Sequence, residues 1–289
     1  MTSTYRTSGS PEPCALPGVP EKKPRLIATD LDGTLLRDDK TVSARTIAAL
    51  AAAEDAGIEV FFVTGRPARW MDVVAEHTAR HGMAICANGA VVYDLHRGRL
   101  LTAYPLAPQD GLAVVGALRA AVPGTAFAVE FTDSFAYESQ YLPYDPEPDP
   151  VIGPVEELLA PGAQGGRLVL KLLARHTVLD PDAFLDVARR VAGEHGEITR
   201  SSPSALLEIS GTGVSKATTL ARCCAERGIT ADEVVAFGDM PNDLGMLSWA
   251  GTSYAVANAH PAVLAATTHR TAANQDDGVA LAIERILAG

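Results

Sequence analysis

The chain has 289 residues and carries 24 Lys and Arg against 35 Asp and Glu, a formal net charge of −11. Hydrophobic residues at 47% and charged residues at 20% describe a globular chain with room for one large domain or two smaller ones, and exclude a disordered or fibrous one. The acid excess argues against a nucleic-acid binder, which needs basic surface for phosphates, and the longest apolar stretches, such as 112–118, fall short of the ~20 residues of a membrane helix.

Residues 1–23 are rich in Pro, Ser and Thr, lack an apolar signal-peptide core, and read as a flexible tail. A short apolar run at 25–30 ends in acid. A helix is expected over 43–56, with Ile47, Leu50 and Ala51 on its apolar face and Gly57 as its stop. Residues 59–64 (EVFFVT) read as a buried strand. Pro67 opens a further helix, closed by Gly82, in which Trp70, Val73, Val74 and His77 share a face; Trp70 and His77 read as core there rather than as ligands. Another apolar run follows at 83–87. Strands alternating with helices at this pace imply βαβ units and a parallel sheet.

The middle of the chain, 105–204, breaks that rhythm. It offers strands at 126–131, 167–173 and 197–199, helices at 109–121 and 181–194, and a Pro-, Gly- and acid-rich loop at 143–166. The alternation resumes with strand 205–209, helix 215–227, strand 233–237, helix 246–250, strand 254–257 and helix 277–287. The expected fold is therefore a doubly wound α/β core of mostly parallel, Rossmann-like sheet, in two parts (24–104 and 205–289), with an inserted α+β cap domain at 105–204. Cys14, Cys86, Cys223 and Cys224 form no CxxC pair and no cluster with histidine, so neither a zinc site nor a disulfide scaffold is expected, and a reducing cytoplasm is the natural compartment.

Ligands of open parallel sheets bind beyond the carboxyl ends of the strands. Those ends carry Asp30-Leu31-Asp32-Gly33-Thr34, Thr64-Gly65-Arg66, Asn88-Gly89 and Gly238-Asp239-Met240-Pro241-Asn242-Asp243, while Lys216 opens a helix. Acids gathered on one edge repel one another unless a cation neutralises them, and hard oxygen donors suit Mg²⁺. A divalent ion, a lysine, a threonine hydroxyl, an asparagine amide and backbone N–H groups together cradle a phosphoryl group. Within such a cradle one aspartate can attack phosphorus, and a second, two positions on, can shuttle a proton.

Asp30-Leu31-Asp32-Gly33-Thr34, Thr64-Gly65-Arg66, Lys216 and the 238–243 stretch, in this order, resemble the four motifs of the haloacid dehalogenase-like phosphohydrolases, and Asn88-Gly89-Ala90 is similar to the sequence that follows the third strand in their Cof-type subgroup. The resemblance implies a Mg²⁺-dependent phosphatase of small phosphorylated metabolites. Asp30 matches the nucleophile and a metal ligand. Asp32 matches the general acid/base, its main-chain carbonyl on the metal. Leu31 and Gly33 match backbone donors to phosphate. Thr64, Gly65, Asn88, Lys216 and Asn242 match phosphate- or substrate-binding positions, Arg66 reads equally as a substrate-binding residue or as half of a structural ion pair, and Asp239 and Asp243 match the remaining metal positions. About 150 residues separate Thr64 from Lys216, room for a cap of about 100 residues, which the subgroup also has. Glu130, Lys171 and Arg175 are its candidates for facing the site. Two rival functions share these residues: phosphoryl transfer to another sugar hydroxyl, as in phosphosugar mutases, and a phosphometabolite-binding protein without catalysis.

Overall fold

The computed structural model describes residues 23–76, 82–143, 150–160, 162 and 165–289. The first stretch holds β1 (Leu26–Thr29), α1 (Ala44–Asp55), β2 (Glu59–Val63), the single turn α2 (Asp72–Ala75), β3 (Met83–Cys86), β4 (Val91–Asp94) and β5 (Arg99–Ala103). There follow α3 (Pro108–Ala121), β6 (Ala126–Phe131), β7 (Phe135–Tyr137), β8 (Val151–Ile152), α4 (Val155–Leu158), β9 (Val169–Arg175), α5 (Pro181–Ala192), β10 (Glu197–Thr199) and β11 (Leu206–Ser210). The last stretch holds α6 (Lys216–Glu226), β12 (Val234–Gly238), α7 (Leu244–Trp249), β13 (Thr252–Ala255), α8 (Pro261–Ala266), β14 (His269–Arg270) and α9 (Gly278–Ala288).

The strands form two sheets. The first runs β14-β13-β12-β1-β2-β3-β4-β5. Its members from β14 to β3 are parallel, and β4 and β5 extend it as an antiparallel edge. Every residue of β1 and β12 is buried, and the helices pack as the pairs α1 with α9 and α6 with α7. Strands covered on both faces read as continuous apolar runs, which is why 26–29 and 234–237 show no alternation. The second sheet runs β10-β11-β9-β6-β7-β8 and has its own core, in which Phe127, Val129, Leu172, Leu207 and Ile209 meet Val114, Leu118, Phe184 and Ala188 of α3 and α5.

Three expectations change. The strand at 205–209 does not resume the parallel sheet: β11 pairs antiparallel with β9 and β10, so the second sheet extends to Ser210. Its alternation of apolar and polar residues (LLEIS) is that of a strand with unlike faces. Among the described residues, the helix expected after Pro67 is a 3₁₀ turn at Ala68–Trp70 followed by α2, and Trp70 is 40% exposed rather than core. On α1 the buried stripe is Thr46, Ala49, Leu50 and Ala53, one step round from Ile47 and Ala51. Cys86, Cys223 and Cys224 are buried free thiols. The tail (but for Lys23), Cys14, His77 and residues 144–149, 161, 163 and 164 of the acid-rich loop lie outside the described residues.

Gly89 fixes how α6 meets the sheet. Its φ is +106°, and a Cβ there would stand 2.3 Å from the carbonyl oxygen of Ser215, the residue that caps α6. Thr219 of α6 donates its hydroxyl to the Gly89 carbonyl at 2.8 Å. Gly89→Ala is expected to cost roughly 2–4 kcal/mol, from the strained backbone and the clash together, read as a lower urea midpoint with unchanged slope.

Candidate active site

β1 and β12 are neighbours, and the sheet continues from them in opposite directions. At such a switch point the loops after the two strands diverge and leave a crevice. The loops start side by side, the Asp30 N–H donating to the Phe237 carbonyl at 3.0 Å.

Three carboxylates meet in that crevice. One oxygen from each of Asp30, Asp239 and Asp243 lies within 4.8 Å of the other two, and all three residues are buried. Lys216, in the first turn of α6 and 1% exposed, donates to Asp30 Oδ1 and to Asp243 Oδ1, both at 2.6 Å. The other oxygen of Asp243 accepts the N–H groups of Asp239 and Met240, both at 3.0 Å, so this side chain shapes its own loop. Thr34 donates its hydroxyl to Asp239 Oδ1 at 2.8 Å. Gly33 has a φ of +78°, and a Cβ there would stand 2.4 Å from Asp239 Oδ2; only glycine lets the two loops approach this closely.

The electrostatics follow from this crowding. Burial raises the Asp30 carboxyl well above the usual range; Lys216 opposes that, and Asp243 and Asp239 add to it. Burial and then the repulsion of Asp243 push Asp239 up to about 7, against the Thr34 hydrogen bond and Lys216. Burial works against the charge of Lys216, but Asp243 and Asp30 override it and hold the ammonium strongly protonated. Three carboxylates facing one ammonium leave net negative charge in a buried site. An all-oxygen donor set of this kind fits a hard divalent cation.

Asp32 stands apart from the three. Its side chain is gripped by Arg66, through Nε at 2.6 Å and a second nitrogen at 2.8 Å, and by Lys40 at 2.8 Å. Burial disfavours its charge, but the hydrogen bonds from Arg66 and Lys40 prevail and bring it down to about 2. Arg66 thus makes an ion pair with the second aspartate of the turn. Leu31 is buried, and its carbonyl accepts from the N–H groups of Thr34, Leu35 and Leu36, which closes the turn.

The second sheet reaches this centre through a buried polar chain. Thr64 accepts the Arg66 N–H on its hydroxyl at 3.0 Å and turns the backbone at Gly65. Lys171 of β9 donates to the Gly65 carbonyl at 2.8 Å and to Glu208 of β11 at 2.6 Å. Asn88, held at a left-handed φ of 56°, donates to the other Glu208 oxygen at 2.8 Å. Asn242 in turn donates to Asn88 Oδ1 at 3.1 Å, while its own Oδ1 is buried without a partner. Burial disfavours the Glu208 charge, yet Lys171 keeps it ionised below the usual range. Sequence reasoning missed Glu208 and Lys40. A lone acid inside the apolar strand LLEIS was the available signal for Glu208; nothing local marks Lys40, which follows the turn on an exposed loop.

Between the sheets lies a cleft of about 430 Å³ lined by Asp30, Asp32, Thr64, Arg66, Asp239 and Asn242 from below, and by Glu130, Lys171 and Glu208 from above. Glu130 is paired with Arg69. Arg175, the third residue expected to face the site, bonds the carbonyl of Leu142.

A switch-point crevice holding DxD, threonine, lysine and late acidic motifs beneath a second sheet defines a hydrolase that handles phosphate. The chain belongs to the haloacid dehalogenase-like hydrolase family, whose model matches residues 27–283, and to its Cof-type phosphatases. It is 33% identical over 269 residues to the pyridoxal phosphate phosphatase YbhA of Escherichia coli, covering 89% of this chain and 96% of that protein. It is 32% identical over 274 residues to the 5-amino-6-(5-phospho-D-ribitylamino)uracil phosphatase YitU of Bacillus subtilis, covering 90% and 96%. A solved phosphatase of the superfamily from Bacteroides thetaiotaomicron shares the fold with a TM-score of 0.75 at 24% identity, over 93% of this chain and 97% of that one. Among the described residues no helix is long and apolar enough to cross a membrane.

Removing Lys216 from between the carboxylates tests their mutual repulsion. Lys216→Met is expected to cost about 3–5 kcal/mol near neutral pH in metal-free buffer, because Asp30 and Asp243 lose their counter-charge. Asp30, whose carboxyl burial already raises, takes up its proton first as pH falls, which removes one of the two stranded charges, so the gap in urea midpoint between variant and parent narrows.

Proposed function

We propose that this protein is a Mg²⁺-dependent phosphatase that hydrolyses small phosphomonoesters through an aspartyl-phosphate on Asp30. The observation that carries the reading is the buried set of Asp30, Asp239 and Asp243 around Lys216, opening into a cleft that a second sheet roofs. Asp30, Asp239 and Asp243 would hold the ion, with the Asp32 main-chain carbonyl. When bound, Mg²⁺ supplies positive charge that neutralises the carboxylates and the phosphoryl oxygens.

The chain's own groups do the rest. Lys216 occupies one oxygen of Asp30 and leaves the other to attack phosphorus. The backbone N–H groups of Leu31 and Gly33, the Thr64 hydroxyl and the Asn242 amide surround the phosphoryl oxygens. The bond from Asp30 to phosphorus forms as the ester bond breaks, and Asp32 gives its proton to the departing alkoxide. Water then attacks the acyl phosphate, Asp32 takes its proton, and the Asp30 carboxylate and inorganic phosphate are released. To carry a proton, Asp32 must exchange Arg66 and Lys40 for substrate; a phosphoester dianion is a competing anion for both cations. The relatives named for pyridoxal phosphate and for a phosphoribitylaminouracil point to a small metabolite with a phosphorylated primary hydroxyl.

A panel of phosphorylated metabolites, read by released phosphate, tests the reading. Turnover should vanish with a chelator and return with Mg²⁺, and a protein equally active in both conditions refutes the metal requirement. Asp30→Asn should lose roughly 10³-fold or more in kcat. Asp32→Asn should lose about 10²–10⁴-fold yet keep the rise in Tm that Mg²⁺ produces in the parent, whereas Asp239→Asn should lose that rise.

A further inference from the structure

The turn after β1 is tied from within by the Leu31 carbonyl, which accepts from Thr34, Leu35 and Leu36. Two further carbonyls of the turn, those of Gly33 and Leu36, are taken by asparagines from distant loops. Asn258, in the loop after β13, donates its amide to the Gly33 carbonyl at 2.8 Å. Asn274, buried in the loop after β14, donates to the Leu36 carbonyl at 2.9 Å and to Asp38 at 3.1 Å. The two asparagines are joined, the Asn274 N–H donating to Asn258 Oδ1 at 3.0 Å.

Strand order makes the first of these bonds informative. β13 stands two strands from β1, about 10 Å away, with β12 between them. To reach Gly33, the loop after β13 leans across the carboxyl end of β12, where the acidic loop begins at Asp239. It bonds that loop too, the His260 N–H donating to the Asp239 carbonyl at 2.8 Å. One short segment, 258–260, thus holds both loops, Gly33 by a side chain and Asp239 by a main-chain group. Those loops touch at this same point, since a Cβ on Gly33 would stand 2.4 Å from Asp239 Oδ2.

The spacing of the two loops matters because their carboxylates repel. Asp30 and the Asp32 carbonyl sit on one loop, Asp239 and Asp243 on the other. A site whose donors already stand at the right separation binds an ion more tightly than one that must first be drawn together. Thr34 also ties the loops, but through Asp239 Oδ1, an oxygen of the carboxylate set itself. Asn258 works through a main-chain carbonyl outside that set, so it competes with no ion for its acceptor.

We propose that Asn258 is a positioning residue of the metal centre. Through the Gly33 carbonyl it sets the distance between the turn of Asp30 and Asp32 and the loop of Asp239, and with it the affinity of the site for Mg²⁺. This role rests on the Mg²⁺ site proposed above and adds to it a residue that touches neither ion nor substrate.

The test is a Mg²⁺ titration of the full chain, without substrate, read by the rise in Tm. Asn258 is exposed, so its replacement leaves the core intact. Asn258→Ala should keep the Tm in chelator within about 4 °C of the parent's. It should raise the Mg²⁺ concentration at half of the Tm rise about 3- to 10-fold, the worth of one net hydrogen bond. Asn258→Gln, which keeps the amide on a longer arm, should recover most of that shift. A Mg²⁺ midpoint that Asn258→Ala leaves unmoved overturns the assignment, whatever happens to the Tm in chelator, and so does a shift that Asn258→Gln leaves in full. Either result leaves the Mg²⁺ site itself standing. If Mg²⁺ raises the Tm of neither parent nor variants, the metal reading fails and the role of Asn258 with it.

Discussion

The structure depends on keeping like charges together where they would rather separate. Asp30, Asp239 and Asp243 approach within 4.8 Å in a buried crevice, and Lys216 is the protein's own answer to their repulsion. Each is delivered by a different segment, and each approach needs a local concession. Gly33 has no Cβ to strike Asp239, and Gly89 has none to strike the cap of α6. Asp243 spends one oxygen on its own loop and the other on Lys216. The raised protonation of Asp30 and Asp239 records how unfavourable the assembly is without additional positive charge. That excess of negative charge, rather than any single residue, fits the site to a hard divalent cation.

The second constraint is the contact between the two sheets. Lys171 and Glu208 come from the antiparallel sheet, yet they bond the Gly65 carbonyl and the Asn88 amide of the parallel one. Asn88 in turn orients Asn242 beside the late acidic loop. A shift of the upper sheet therefore pulls on the very turn expected to bind phosphate. Buried ion pairs of this kind contribute little net stability, because desolvation offsets their attraction, but they define one geometry sharply. Here that geometry joins the cleft face of the second sheet to the loops that carry Thr64 and the late acids.

Much of this was legible in the chain. The apolar runs at 26–29, 59–63 and 234–238, followed at once by Asp30, Thr64 and Asp239, marked buried parallel strands with chemistry at their ends. The helix expected over 215–227 put Lys216 in its first turn, where α6 holds it. Less legible was anything set by pairing rather than by pattern. Strand β11 looks like a core strand in isolation, and only its partners assign it to the other sheet. Trp70 reads as core because helical spacing puts it on one face with Val73 and Val74, but it ends a 3₁₀ turn and lies at the cleft.

What the sequence by itself determined is the alternation of buried strands and helices, the order of the four motifs, and hence the family and its parallel core. Those are local properties: hydrophobic period, turn chemistry and residue type at strand ends act over a few residues. Only the tertiary structure decided which charges face which. The grip of Arg66 and Lys40 on Asp32 and the chain from Lys171 through Glu208 to Asn88 join residues up to 120 positions apart. Such pairings depend on how two sheets register against each other, and no window of sequence carries that information.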